Sequence, residues 1–316
     1  MKIAKRGADT VPLFLFEMKV QLPFIVLIFL GCSSKSNQEF PYSQPDEIVV
    51  PIPFNEELVT TNGIAFSKDG RTLYTSIQRK DTFTNGRLLA AIRFSTFNSG
   101  SWSQPVNIQP EWSMDAYHPI LSEDNNTLFF NSRSHPDSTR LAIPHNIWKA
   151  QKTKSDWSAP SLVEGVNSTS YDSYPSLTSD NHLYFNSDRD GGKGGMDIYV
   201  SRFKDGSYQE PVNIEEINSA DVENDLVVDP EERFIIFNRY VHATQSIDLF
   251  ISFNAGSKWT TPRELDNINH PEKWELTPSL SPDGEYFFFE LDNKIMQVSL
   301  SALIYSDELP EIGKRK

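Results

Sequence analysis

The stretch that decides the fold is Leu177–Arg202, "LTSDNHLYFNSDRDGGKGGMDIYVSR". Its first half has relatives along the chain. They are "FSKDGRTLYTS" (66–76), "LSEDNNTLFFNS" (121–132), "VDPEERFIIFNR" (228–239) and "LSPDGEYFFFE" (280–290). The apolar residue opening each core, Leu73, Leu128, Leu183, Ile235 and Phe287, recurs at steps of 55, 55, 52 and 52. A second landmark keeps the same beat: Pro105, Pro160, Pro211 and Pro262, from "SWSQPVNI", "DWSAPSLV", "SYQEPVNI" and "KWTTPREL", step by 55, 51 and 51. Two independent sets of marks with one period identify an internal repeat.

Each unit reads as strands. A turn such as Asp69-Gly70 or Asp283-Gly284 precedes a short apolar, aromatic run. A polar loop follows, then "NIWKA", "DIYVS" or "DLFIS", then the proline-bearing segment. Runs of four to six residues between Gly, Asp, Asn and Pro clusters are strand-like, and the chain after residue 46 shows no sustained helical period. With the run before the Asp turn ("HPIL", "YPSL", "TPSL") every unit offers four strands. Repeated four-stranded units of this length predict an all-β fold, a β-propeller of five antiparallel blades, with six as the alternative. The fifth unit lacks its proline segment before the chain ends at Lys316, whereas Pro53 lies in period 52 residues before Pro105. Residues 47–56 are therefore expected to supply the outer strand of the last blade, closing the ring and removing its open edges.

These units resemble the WD-repeat-like propeller repeats of the TolB type, carried here by "SPDGEYFFFE" and by "SDNHLYFNSDRDGGKGGMDIYVS". The resemblance spans about residues 57–300 and implies a propeller, not one activity. TolB proteins carry a further α/β domain before a six-bladed ring, whereas only a short tether precedes the repeats here.

The 316 residues carry a formal net charge of −14 with both signs interspersed. That balance excludes a phosphate-neutralising nucleic-acid binder. Near the start, "MKVQLPFIVLIFLGCSS" (18–34) places Lys19 before a short apolar run and then Gly31-Cys32. The run suits a cleaved signal peptide, not a spanning helix. The sole cysteine, directly after the cleavage-type glycine, resembles the diacylated cysteine of bacterial lipoproteins. The expected organisation is a leader and signal over 1–31 with Met18 as the true start, a tether over 32–46, the propeller over 47–305 and a tail over 306–316. Ser33 after the cysteine resembles lipoproteins sorted to the outer membrane, facing periplasm or surface, with the membrane met only through the lipid.

Three sets of site candidates stand out. Asp188, Asp190 and Asp197 in "SDRDGGKGGMD" have the residue types of a calcium loop, against a plainer reading as a glycine-rich connection in which Asp197 bonds locally. No other cofactor is indicated. The repeated Trp102, Trp157 and Trp259, with Tyr208, have the period of packing between blades rather than of a sugar platform. About twelve residues before each anchor come Asp115, Asp172, Glu223 and Glu275, with Thr61 in the first unit. At the start of the innermost strands they would make an acidic channel mouth for a metal, a basic peptide end or an amino sugar. The alternative is that they cap backbone amides between blades. No G-x-S-x-G elbow is present, and the six histidines lack metal-ligand spacing. The sequence thus points to a non-enzymatic scaffold binding an envelope protein or glycan. The second reading is a glycoside hydrolase or lyase using the acidic ring.

Overall fold

The structure, a computed structural model, describes residues 50–51, 63–83, 87–108, 112, 114–134, 141–154, 156–292, 294–304 and 308. Cys32, the signal segment, the tether, Thr61 and Pro53 lie outside them. Among the described residues no helix is long and apolar enough to cross a membrane.

The described residues form five antiparallel blades. Blade 1 pairs Ile64–Phe66 with Thr72–Phe83, then Arg87–Asn98 and Val106–Asn107. Blade 2 runs Tyr117–Leu121, Thr127–Ser134, Leu141–Gln151 and Ser161–Leu162. Blade 3 runs Asp172–Leu177, Leu183–Ser187, Asp197–Ser201 and Val212–Asn213. Blade 4 runs Val222–Val228, Phe234–Val241, Ser246–Phe253 and Arg263–Glu264. Blade 5 runs Glu275–Leu280, Tyr286–Leu291 and Lys294–Ser299, and its fourth strand is Val50–Pro51 from the start of the chain.

That last pairing is the closure expected from sequence. Val50 lies opposite Gln297 and Pro51 opposite Met296. The register differs in one detail. In blades 1 to 4 the outer strand follows its proline, as Val106 follows Pro105. Here the paired residues precede Pro53. A proline is tolerated at this outermost position, where one side of the strand has no ladder to donate to.

Packing explains why single units are not stable alone. The second strand of each blade is apolar on both faces, as in Phe234–Phe237 and Phe287–Phe289. Alternate residues then serve opposite neighbours. Phe234 and Ile236 join Phe287, Phe289 and Val298 between blades 4 and 5. Ile235 and Phe237 join Tyr184, Ile198 and Val200 between blades 3 and 4. Leu183 and Phe185 join Phe129 and Ile147 between blades 2 and 3. Tyr74 and Ile92 meet Leu128 and Phe130 between blades 1 and 2. The fifth cluster, Ile64, Phe66 and Leu73 with Phe288 and Ile295, joins blade 5 to blade 1. Five blades are held by five clusters, so the wheel is closed.

The repeated aromatics serve this packing. Trp157 meets Tyr74 of the preceding blade edge-on at 6.2 Å, and Trp259 meets Tyr184 in the same way at 6.2 Å. Trp102 lies against Phe66 and Phe97. Asparagines three residues after the anchors tie the inner strands together. Asn131 Oδ1 accepts from Tyr174 N, Asn186 Nδ2 donates to Glu223 O, and Asn238 Nδ2 donates to Glu275 O.

Candidate functional site

The four carboxylates expected at the channel mouth sit at the inner-strand starts, and each is fully buried. Asp115 accepts from Ala90 N at 2.7 Å and from Arg133 Nε at 2.6 Å. Asp172 accepts from Ser168 Oγ at 2.8 Å and Arg189 Nη2 at 2.6 Å. Glu223 accepts from Ser219 Oγ at 2.6 Å and Arg239 Nε at 2.7 Å. Two of these arginines, in blades 3 and 4, bridge to the loop entering their blade: Arg189 Nη2 donates to Val166 O and Arg239 Nη2 to Ile217 O. Each also lies over aromatic faces, Arg189 at 5.0 Å from Phe185 and Tyr199, Arg239 at 4.5 Å from Phe250. A buried carboxylate is affordable because such a fork neutralises and hydrogen-bonds it. These groups fasten loops to blades and present no open acidic surface.

Blade 5 breaks the pattern. Glu275 keeps the backbone link, accepting from His270 N at 3.0 Å. Leu291 lies opposite it in register, where Arg239 lies opposite Glu223. The second oxygen, Oε2, is buried without a hydrogen-bond partner. Burial pushes the carboxyl from the ordinary 4.5 up to about 7.

A second set of inner-strand residues, nine or ten before each anchor, touches from blade to blade: Gly63, His118, Tyr174, Asp225 and Thr277. All five have positive φ, at 87°, 52°, 53°, 20° and 50°. In blades 2 to 5 the residue stands at the register shift of the inner strand. A non-glycine residue in this region costs about 1 kcal/mol or more, so the ring holds stored strain. His118 meets the Tyr174 ring edge-on at 5.0 Å, and Asp225 Oδ2 accepts from Thr277 N at 3.0 Å. Burial raises Asp225 to about 6 and lowers His118 to about 4. Asp225 is the single carboxylate of this set, so the pair required for retaining or inverting glycoside hydrolysis is not assembled in it.

The glycine-rich loop is also resolved into local bonds. Asp197 accepts from Lys193 N at 2.5 Å, Gly194 N at 3.0 Å and Asn213 Nδ2 at 2.7 Å. Asp188 turns away to accept from Tyr171 N at 2.7 Å, and Asp190 is exposed. The three do not converge, and among the described residues no group of three His, Cys, Asp or Glu side chains can hold a metal. Gly194 is required by close approach: a Cβ there would lie 1.9 Å from Asp221 O.

A cavity of about 320 Å³ opens at the opposite end of the axis, where the inner strands finish. All five blades contribute. Phe66, Ile120, Leu177, Val227 and Leu280 form apolar walls, and Ser176 and Ser279 add hydroxyls. The rim carries Lys68, paired with Glu123, and Glu231, which accepts from Ser179 Oγ at 3.2 Å. Sequence reading missed this funnel because its wall is built from the same alternating apolar residues that any inner strand shows.

No protein-family model and no curated protein matches the sequence. Solved structures do resemble the fold. A putative TolB from Agrobacterium tumefaciens is 16% identical, with a TM-score of 0.46 over 72% of this chain and 68% of that one. A periplasmic gluconolactonase from Pseudomonas aeruginosa is 14% identical, with a TM-score of 0.45 over 77% of this chain and 69% of that one. A gluconolactonase from Xanthomonas campestris is 11% identical, with a TM-score of 0.44 over 75% of this chain and 85% of that one. By its own strand pairing the chain is a five-bladed β-propeller.

Proposed function

We propose that this propeller is an exported, lipid-anchored scaffold that binds an envelope protein or glycan without chemical turnover. The observation that carries the reading is the division of labour along the axis. Three of the four carboxylates at the strand starts are consumed by their own arginines. The open cavity offers apolar walls, hydroxyls and a charged rim, the lining of a recognition pocket rather than of a hydrolytic one. The signal-like segment ending at Cys32 supports export, attachment through a diacylated cysteine, and outer-membrane residence.

The test uses the immobilised full chain and envelope extract. Saturable capture of one protein or glycan, abolished by Ser179→Trp at the funnel rim with melting unchanged, supports the reading. Turnover in a carbohydrate panel, lost on Asp225→Asn, would replace it with the hydrolase or lyase. Capture indifferent to the plug would remove the funnel from it. Labelled palmitate incorporated by the wild type and absent from Cys32→Ser checks the anchor.

A further inference from the structure

A buried carboxylate at a strand start needs a cation, and blades 2 to 4 each supply one from within. Blade 4 shows the complete arrangement. Arg239 lies opposite Glu223 in register and meets it at 2.7 Å. It also donates to Ile217 O and lies over Phe237 and Phe250. A planar guanidinium can serve carboxylate, carbonyl and ring together, which an ammonium cannot.

Blade 5 keeps the rest of this arrangement around a leucine. Glu275 is fully buried, accepts from His270 N, and its Oε2 has no hydrogen-bond partner. Asn269 ties the entering loop to Leu249 as Asn218 ties the preceding one to Ile198. Ile268 O is therefore the counterpart of Ile217 O. Phe289 and Met296 pair in register as Phe237 and Phe250 do, so a ring and a polarisable sulfur stand in the same rows. Leu291 holds the arginine's place, half-buried, and its side chain stops where an arginine's guanidinium would still follow. Asp248 adds negative charge felt by Glu275. Depth is no barrier to an incoming cation. Glu223 is equally buried, yet the arginine that reaches it keeps 13% of its side chain exposed.

We propose that blade 5 takes its arginine in trans: a partner protein places one of its own guanidinium groups between Glu275 Oε2 and Ile268 O, beside Leu291. This rests on the scaffold reading, commits the partner to a protein with an exposed arginine, and adds a contact at the opposite end of the wheel from the funnel.

The experiment is calorimetric titration of the full chain at about pH 8 with acetyl-arginine amide. Acetyl-citrulline amide, of the same shape without the charge, and acetyl-lysine amide serve as comparisons. The arginine compound should bind, and the other two about tenfold or more weaker. Glu275→Gln should weaken binding by about the same factor. Leu291→Arg supplies the fork from within the blade, so it should raise the melting temperature by a few degrees, abolish arginine binding and reduce capture from envelope extract. Equal binding of the citrulline compound, unaltered binding by Glu275→Gln, or no gain in melting temperature from Leu291→Arg would overturn the proposal. Equal binding of the lysine compound would do the same and mark a general amine site. Absence of arginine binding alongside intact, funnel-dependent capture would sink the blade 5 contact alone. Arginine binding with no protein captured would end the scaffold reading and leave the guanidinium site standing.

Discussion

Glu275 lets the internal repeat serve as its own control. In blade 4 the equivalent Glu223 meets Arg239 at 2.7 Å, whereas Glu275 meets Leu291 and keeps one oxygen unpartnered. Removing a carboxylate from water without a cation favours its neutral form, which is why it titrates near 7 rather than 4.5. The sign follows directly. The folded state holds the proton more tightly than the unfolded chain, so the site costs nothing below about pH 4.5. The penalty grows as pH rises through the interval and is complete above about 7. At about 1.4 kcal/mol per pH unit the full cost is about 3 kcal/mol. Glu275→Gln keeps a carbonyl for His270 N and cannot ionise. Urea unfolding from pH 4 to 8.5 should give nearly equal stability for the two proteins at the acid end. At pH 8 the variant should be the more stable by up to about 3 kcal/mol. Asp225, raised to about 6, contributes a similar slope in both proteins and cancels in the difference. A variant that is less stable at pH 8, or a difference that does not change with pH, would refute the account of this site.

Two further perturbations probe the same framework. Arg239→Ala strands Glu223, fully buried, without its fork, and should cost about 3–5 kcal/mol in urea unfolding, with Glu223→Gln restoring part of the loss. Gly63→Ala adds a Cβ 2.7 Å from His118 Nδ1 at a φ of 87°, and should cost at least about 2 kcal/mol; a double-mutant cycle with His118→Gly should show coupling, and strict additivity would deny the contact.

The wheel was legible because its physics is periodic. An anchor such as Ile235 must be apolar in every blade, since it plugs the gap to a neighbour, and its spacing survives changes in loop length. The outer strand of blade 5 was legible for the same reason: a missing Pro segment at one end and a spare one at the other. The site was harder to read. The arginines that neutralise Asp115, Asp172 and Glu223 fall five, six and four residues after their anchors, so they form no clean column, and the gap at Leu291 is invisible without coordinates. The inner-strand bulge matters more. A one-residue shift reverses which way side chains face. Residues before it, such as Asp172 and Glu223, bond to an arginine of their own blade, while the residue at the shift has positive φ and meets the neighbouring blade. Period alone places a carboxylate at the start of an inner strand; only the bulge decides whether it looks into the channel or into its own blade.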